Sequence, residues 1–258
     1  MMARLIALPV VGFLVGLLIV SFGGGGGAVY VGILTVLFNI PPGIAASTSL
    51  ATTIPTTAMG AFSHWKAGNV NVKLGLKMLV GGAVGCVAGS LCSGLLPQEL
   101  YSKITGAILL LLAAQMLFSA LRKRLGKGQK ADARSHKASD TVKAVCFGLV
   151  GGVMAGLVGL SGGGPIIAGL MILGCGALET VGTSVLVLFG LAVIGFLAHL
   201  SVGNIDWGLV GLLTIGTVCG AFVGPVLLKK ADKGKLEKFL QPALFVMIVV
   251  MGAMEMLK

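Results

Sequence analysis

The chain has 258 residues, 56% of them hydrophobic and only 10% charged, with a mean hydropathy of +1.04. A soluble domain carries about 25% charged residues, so this chain cannot cover a water-facing surface and reads as an all-α integral membrane protein. The formal charge of +11 sits in short stretches between apolar runs, the pattern of topology signals rather than of a nucleic-acid footprint.

In chain order, residues 5–38 are apolar but too long for one crossing of about 20 residues, and Gly23 to Gly27 interrupt them. Consecutive glycines disfavour a helix interior by ~1 kcal/mol each. The stretch is therefore predicted to be two shorter helices joined at an unwound turn. It is assigned to the fold rather than to a cleaved leader, because no small-residue cleavage pattern follows. Residues 45–63 lack charge but are rich in Ser and Thr, which suits a helix inside the bundle facing polar cargo or neighbouring helices. Runs 78–98 and 104–121 have spanning length. The stretch from Arg122 to Lys143 is polar, basic and too short for a soluble domain. Residues 145–173 again exceed one crossing and are broken at Gly162 to Gly164; 182–200 and 207–228 span, and 239–254 is somewhat short. The five cysteines form no CxxC pair, so neither a metal site nor a disulfide framework is implied.

The two halves repeat. Thr48-Ser49 returns 135 residues later as Thr183-Ser184, and the same offset carries Gly60, His64 and Gly68-Asn69 onto Gly195, His199 and Gly203-Asn204. Gly81, Gly85 and Gly89 likewise become Gly216, Gly220 and Gly224. With a two-residue gap, Gly25-Gly26-Gly27 aligns with Gly162-Gly163-Gly164. Two homologous halves, 1–121 and 145–258, joined by a basic linker over 122–144, are a common plan of secondary transporters.

The linker should be cytoplasmic by the positive-inside rule, as should the loop with Lys66, Lys73 and Lys77. Lys229, Lys230, Lys233, Lys235 and Lys238 join them only if 145–173 enters and returns as a glycine-hinged hairpin. That model places more basic residues inside than a single crossing does. It predicts inverted repeats, each a glycine-broken helical hairpin followed by three transmembrane helices. Charge counting does not distinguish a re-entrant hairpin from a fully spanning pair.

A helix that starts after Gly27 or Gly164 exposes N–H groups without intrahelical partners and carries roughly half a positive charge. Bare glycine backbone lets an anion approach those groups. Gly25, Gly26, Gly27, Gly162, Gly163 and Gly164 are therefore candidate substrate contacts, with Thr48, Ser49, Ser161, Thr183 and Ser184 as hydroxyl donors. Pro165 suits the first helical turn, where its missing N–H costs little. No Lys or Arg lies in a core segment, so such a site rests on dipoles and neutral donors. Gly81, Gly85 and Gly89 fit tight helix packing instead. His64 and His199 are candidates for an anion contact or proton relay, against the alternative of capping helix ends near the interfaces. Trp65 and Trp207 read as interfacial anchors. An intramembrane serine protease with Ser161 as nucleophile and His199 as base is a competing reading. It is weakened because Gly24 aligns with Ser161 while His64 persists.

The glycine turns FGGGGGAVYVG and LSGGGPIIAG, each followed by a Thr-Ser and then by a His before Gly-Asn, resemble the TauE/SafE sulfite exporter family. The resemblance runs from about Val11 to Met256. It implies a multi-pass permease of a prokaryotic inner membrane that moves sulfite, a sulfonate such as sulfoacetate, or thiosulfate. The first half departs from the second in having Ala28 in place of Pro165 and five glycines in place of three. Alternating access around the glycine turns is expected, with a passive anion channel as the alternative. No Walker A motif is present. The partners expected are a small anion and the bilayer, with homo-oligomerisation compatible; no nucleic acid, cofactor or metal is expected.

Overall fold

Glycine spacing sets how closely the helices approach one another. The computed structural model describes residues 8–17, 26–124, 138–200, 205–230, 245–246 and 248–257, and every regular element among them is helical. In order these are α1 (Leu8–Leu17), α2 (Gly27–Gly32, continuing as the π-helical Ile33–Leu37), α3 (Pro42–Lys66), α4 (Val72–Ser93) and α5 (Gln98–Arg124). Then follow α6 (Ala138–Val158), α7 (Gly163–Ile172), α8 (Ala177–Leu200), α9 (Trp207–Lys230) and α10 (248–256). Gly25, Gly203-Asn204, the linker core 125–137 and Lys233, Lys235 and Lys238 lie outside the described residues.

Val72–Ser93, Asp140–Val158 and Ala177–Leu200 are long and apolar enough to cross a bilayer. Their outward faces are apolar as well: on α4, Val80, Val84, Val87 and Leu91 are exposed while Gly81, Gly82, Gly85 and Gly89 are buried. An apolar exterior of this extent belongs in lipid.

The helix bounds differ from the apolar runs where charge and helix propensity part. The run 78–98 becomes α4 at 72–93, because Asn71 caps the helix and accepts from the Leu74 N–H at 3.1 Å. Lys73 and Lys77 then fall within its first two turns, where long side chains reach the surface; Lys77 Nζ donates to Thr141 Oγ1 of α6 at 2.8 Å. α6 likewise begins before Lys143, with Asp140 in its first turn. The second broken stretch is thus not two short helices. It is a full-length α6 followed by α7, whose 10 residues give roughly 15 Å of rise, half the hydrocarbon thickness.

α4 and α6 lie in parallel and interlock through backbone. Gly81, Gly85 and Gly89 rest on Val145, Leu149 and Val153, while Gly148, Gly152 and Gly156 rest on Met78, Gly82 and Cys86. The same contact recurs between α9 and α1, where Gly216 and Gly220 rest on Pro9 and Phe13, and Gly12 and Gly16 on Leu213 and Thr217. Lipid offers no hydrophobic force for helix association, so small residues that bring backbones together supply dispersion contacts instead. α3 and α8 cross antiparallel at the centre, Gly195 beside Leu50 and Gly182 beside His64. The Ser and Thr of α3 are buried as expected, Ser63 apart, and most turn back on their own helix: Thr52, Thr53, Thr56 and Thr57 donate to the carbonyls of Thr48, Ser49, Thr52 and Thr53.

A methyl group at Gly85 or Gly152 meets backbone of the partner helix, whereas Gly43 and Gly211 face open space. Gly85→Ala and Gly152→Ala should each destabilise by about 1–3 kcal/mol, read as a lower unfolding midpoint in detergent. Gly43→Ala and Gly211→Ala should leave the midpoint unchanged or raise it.

Candidate functional site

The start of α2 meets the turn between α6 and α7. Gly27, the first residue of α2, lies against the turn after α6: a Cβ there would come within 2.7 Å of the Gly159 carbonyl oxygen and the Leu160 carbonyl carbon, and would press on Ser161 Oγ. Gly162 in turn abuts Gly151, near the middle of the Asp140–Val158 span. The turn is left-handed at three of its four residues, with φ of +71° at Gly159, +59° at Ser161 and +65° at Gly162. Glycine adopts that conformation freely; for Ser161 it is strained.

Unwinding a helix in an apolar interior leaves its last carbonyls without helical donors. Here side chains from four helices supply them. The Gly156 carbonyl accepts from His199 Nε2 of α8 at 2.7 Å and from Ser90 Oγ of α4 at 3.3 Å. Leu157 accepts from Tyr101 of α5 at 2.6 Å, and Gly159 from Ser49 Oγ of α3 at 3.0 Å. Across the turn, Gln115 of α5 donates to the Gly164 carbonyl at 3.1 Å.

The donor ends are treated differently. Gly26 caps α2 and Gly162 caps α7, and as glycines neither offers a side chain to the first N–H groups of its helix. Ser161 is 1% exposed and its Oγ has no hydrogen-bond partner. Side chains close carbonyls at the end of α6, whereas the starts of α2 and α7 carry no capping side chain.

The candidate residues separate accordingly. Gly26, Gly27, Ser161, Gly162, Gly163 and Gly164 lie at the junction, with Ser49 beside it through Gly159. Thr48 is fully buried and its Oγ1 is unpartnered. Thr183 Oγ1 accepts the Asn71 N–H at 2.9 Å, and Ser184 donates to the Val181 carbonyl. His64 lies at the end of α3, where its carbonyl accepts the Asn69 N–H and Gly68 takes φ +72°, a glycine-terminated cap. His199 does reach a helix end, but it is that of α6. With Nε2 on the Gly156 carbonyl and Ser161 Oγ without a partner, no Ser161–His199 dyad forms. Gln115 and Tyr101 were not among the candidates; a lone amide in the run 104–121 and a tyrosine just before it are the only signals they give.

Comparison with known proteins agrees with this architecture. The model of the family described as "Sulfite exporter TauE/SafE" matches residues 8–254. The chain is 34% identical over 237 residues to the "Probable membrane transporter protein YdhB" of Bacillus subtilis, covering 90% of this chain and 94% of that one. A "Probable membrane transporter protein" of Haemophilus influenzae is 30% identical over 184 residues, with 67% of this chain and 65% of that one covered. No solved structure gives a significant match. A multi-pass bundle of apolar helices, matched by this family along nearly its whole length, is a membrane transporter, and the chain belongs to the TauE/SafE sulfite exporter family.

Proposed function

We propose that this transporter is a permease for small sulfur-containing anions, sulfite, a sulfonate such as sulfoacetate, or thiosulfate, held where the two glycine turns meet. One observation carries the reading: the junction satisfies its carbonyls with side chains from four helices and leaves its N–H ends uncapped beside a buried, unpartnered hydroxyl. A ligand that completes such a site must accept hydrogen bonds and carry negative charge. In a low-dielectric interior, helix N-termini and neutral donors attract an anion strongly without fixing it as a lysine would, which favours release.

Inverted repeats and alternating access fit the same geometry. The repeat-equivalent helices α3 and α8 run antiparallel, and the start of α2 from one half meets the glycine turn of the other. α4 and α6 start at the same end, beside Lys77 and Lys143, which fits a cytoplasmic placement of that end in a prokaryotic inner membrane. Gly27, Ser161, Gly162 and Gly163 are all buried. A carrier closed around its site accounts for that burial better than a continuously open channel does.

Gly26→Val and Gly163→Val should each abolish counterflow of labelled sulfite in proteoliposomes while the protein still inserts; wild-type flux in either variant contradicts the site. Ser161→Gly separates strain from function. Relieving the left-handed serine should raise the unfolding midpoint by about 2–4 °C, while loss of the hydroxyl should slow flux about tenfold. A variant that is more stable and equally active would leave Ser161 without a role in binding.

A further inference from the structure

Away from the glycine turns, an open depression of about 540 Å³ lies between the α3–α4 loop (Gly68, Asn69, Val70) and the start of α8 (Gly176 to Glu179). Asn71 ties these two walls together. Its Oδ1 caps α4, its Nδ2 donates to Glu179 Oε1 at 3.0 Å, and its N–H donates to Thr183 Oγ1 at 2.9 Å.

The 135-residue offset gives the other half the same parts. Asp206 stands where Asn71 does, Thr48 where Thr183 does, and Ile44 where Glu179 does. Asp206 caps α9 by accepting the Leu209 N–H at 3.1 Å, and α3 packs on α9 as α8 packs on α4. The corresponding bond is not made: Thr48 Oγ1 is fully buried and has no hydrogen-bond partner. One of two equivalent contacts is closed and the other is open.

We propose that the depression is the vestibule of the anion route at the lysine-bearing end, that Asn71, Glu179 and Thr183 form its gate, and that Thr48 with Asp206 forms the counterpart gate at the opposite end. The inference rests on the transporter reading of the junction but not on which anion is carried. A buried hydroxyl without a partner is disfavoured. A second conformation in which Thr48 accepts the Asp206 N–H removes that penalty as the Asn71 bonds break, so the two ends exchange similar interactions. Two bonds, one of them to a carboxylate, bias the equilibrium without locking it. The Asn71–Glu179 bond has no counterpart, because Ile44 stands where Glu179 does, and this sets the gate that is closed here as the resting one.

Val187→Cys places a thiol one turn inward of Thr183, at a position that is fully buried and faces Gly75 of α4. With the five native cysteines replaced by serine or alanine, its rate of reaction with a hydrophilic maleimide in nanodiscs reads gate opening independently of any substrate. Asn71→Asp keeps the cap and sets a second carboxylate against Glu179. It should raise that rate about tenfold, as should Thr183→Val, because each breaks a bond of the gate; Asp206→Asn should leave it unchanged. Unchanged labelling in both gate variants, in monodisperse protein, overturns the gate. If neither variant remains monodisperse, Glu179→Ala decides in the same way, since it spares the α4 cap. A labelling response in the variants without flux of sulfite, sulfoacetate or thiosulfate through the wild-type protein would overturn the sulfur-anion reading and leave the gate standing.

Discussion

Gly27 lying on Gly159 and Ser161 is the contact around which the molecule is arranged. A backbone that leaves helical geometry inside a bilayer strands polar groups that water cannot reach. This fold meets that demand unevenly. Helices α3, α4, α5 and α8 each send one side chain to the end of α6, so four of the longest elements are positioned by the need to close its carbonyls. The N-terminal ends of α2 and α7 are capped instead by glycines, which offer no such side chain. In the function proposed above, helix starts without capping side chains make the junction a place for an anion rather than a cation.

Glycine does two different jobs in this chain. Along α1, α4, α6 and α9 it removes side chains so that helices approach backbone to backbone, and each such position accepts the helix-propensity penalty of about 1 kcal/mol in exchange for contact. At Gly159 and Gly162 it permits a left-handed backbone, and at Gly27 it lets the start of α2 touch the turn after α6. The first use fixes rigid pairs that draw on both halves, α4 with α6 and α1 with α9. The second leaves a local break where those pairs converge.

Both uses were partly legible in the sequence. The spaced Gly81, Gly85 and Gly89 pointed to packing, and the glycine runs pointed to breaks, because period and adjacency separate the two cases. The burial of the Ser/Thr segment in α3 followed from its poor fit to lipid. Less legible was which helix pairs with which: no local pattern says that α4 meets α6 across the linker, since that choice is made by shape over long sequence separations. Hydropathy also misjudged where α4 and α6 begin, because a window stops at a lysine whereas a helix starts at its cap. Ser49 and His199, each a candidate by repeat and chemistry, turn out to serve the carbonyl side of the junction. Their residue types allow donation to an anion or to a carbonyl alike, and only the neighbours decide.

The most direct measurement is to locate a bound anion. Selenite keeps the shape and charge of sulfite and scatters anomalously, so diffraction from crystals of the wild-type protein grown with it gives a position without interpretation of side chains. The account predicts a selenium peak within hydrogen-bonding reach of the backbone N–H groups at 26–27 and 162–164 and of Ser161 Oγ. A peak seated only elsewhere, with both turns still packed against one another, would contradict it.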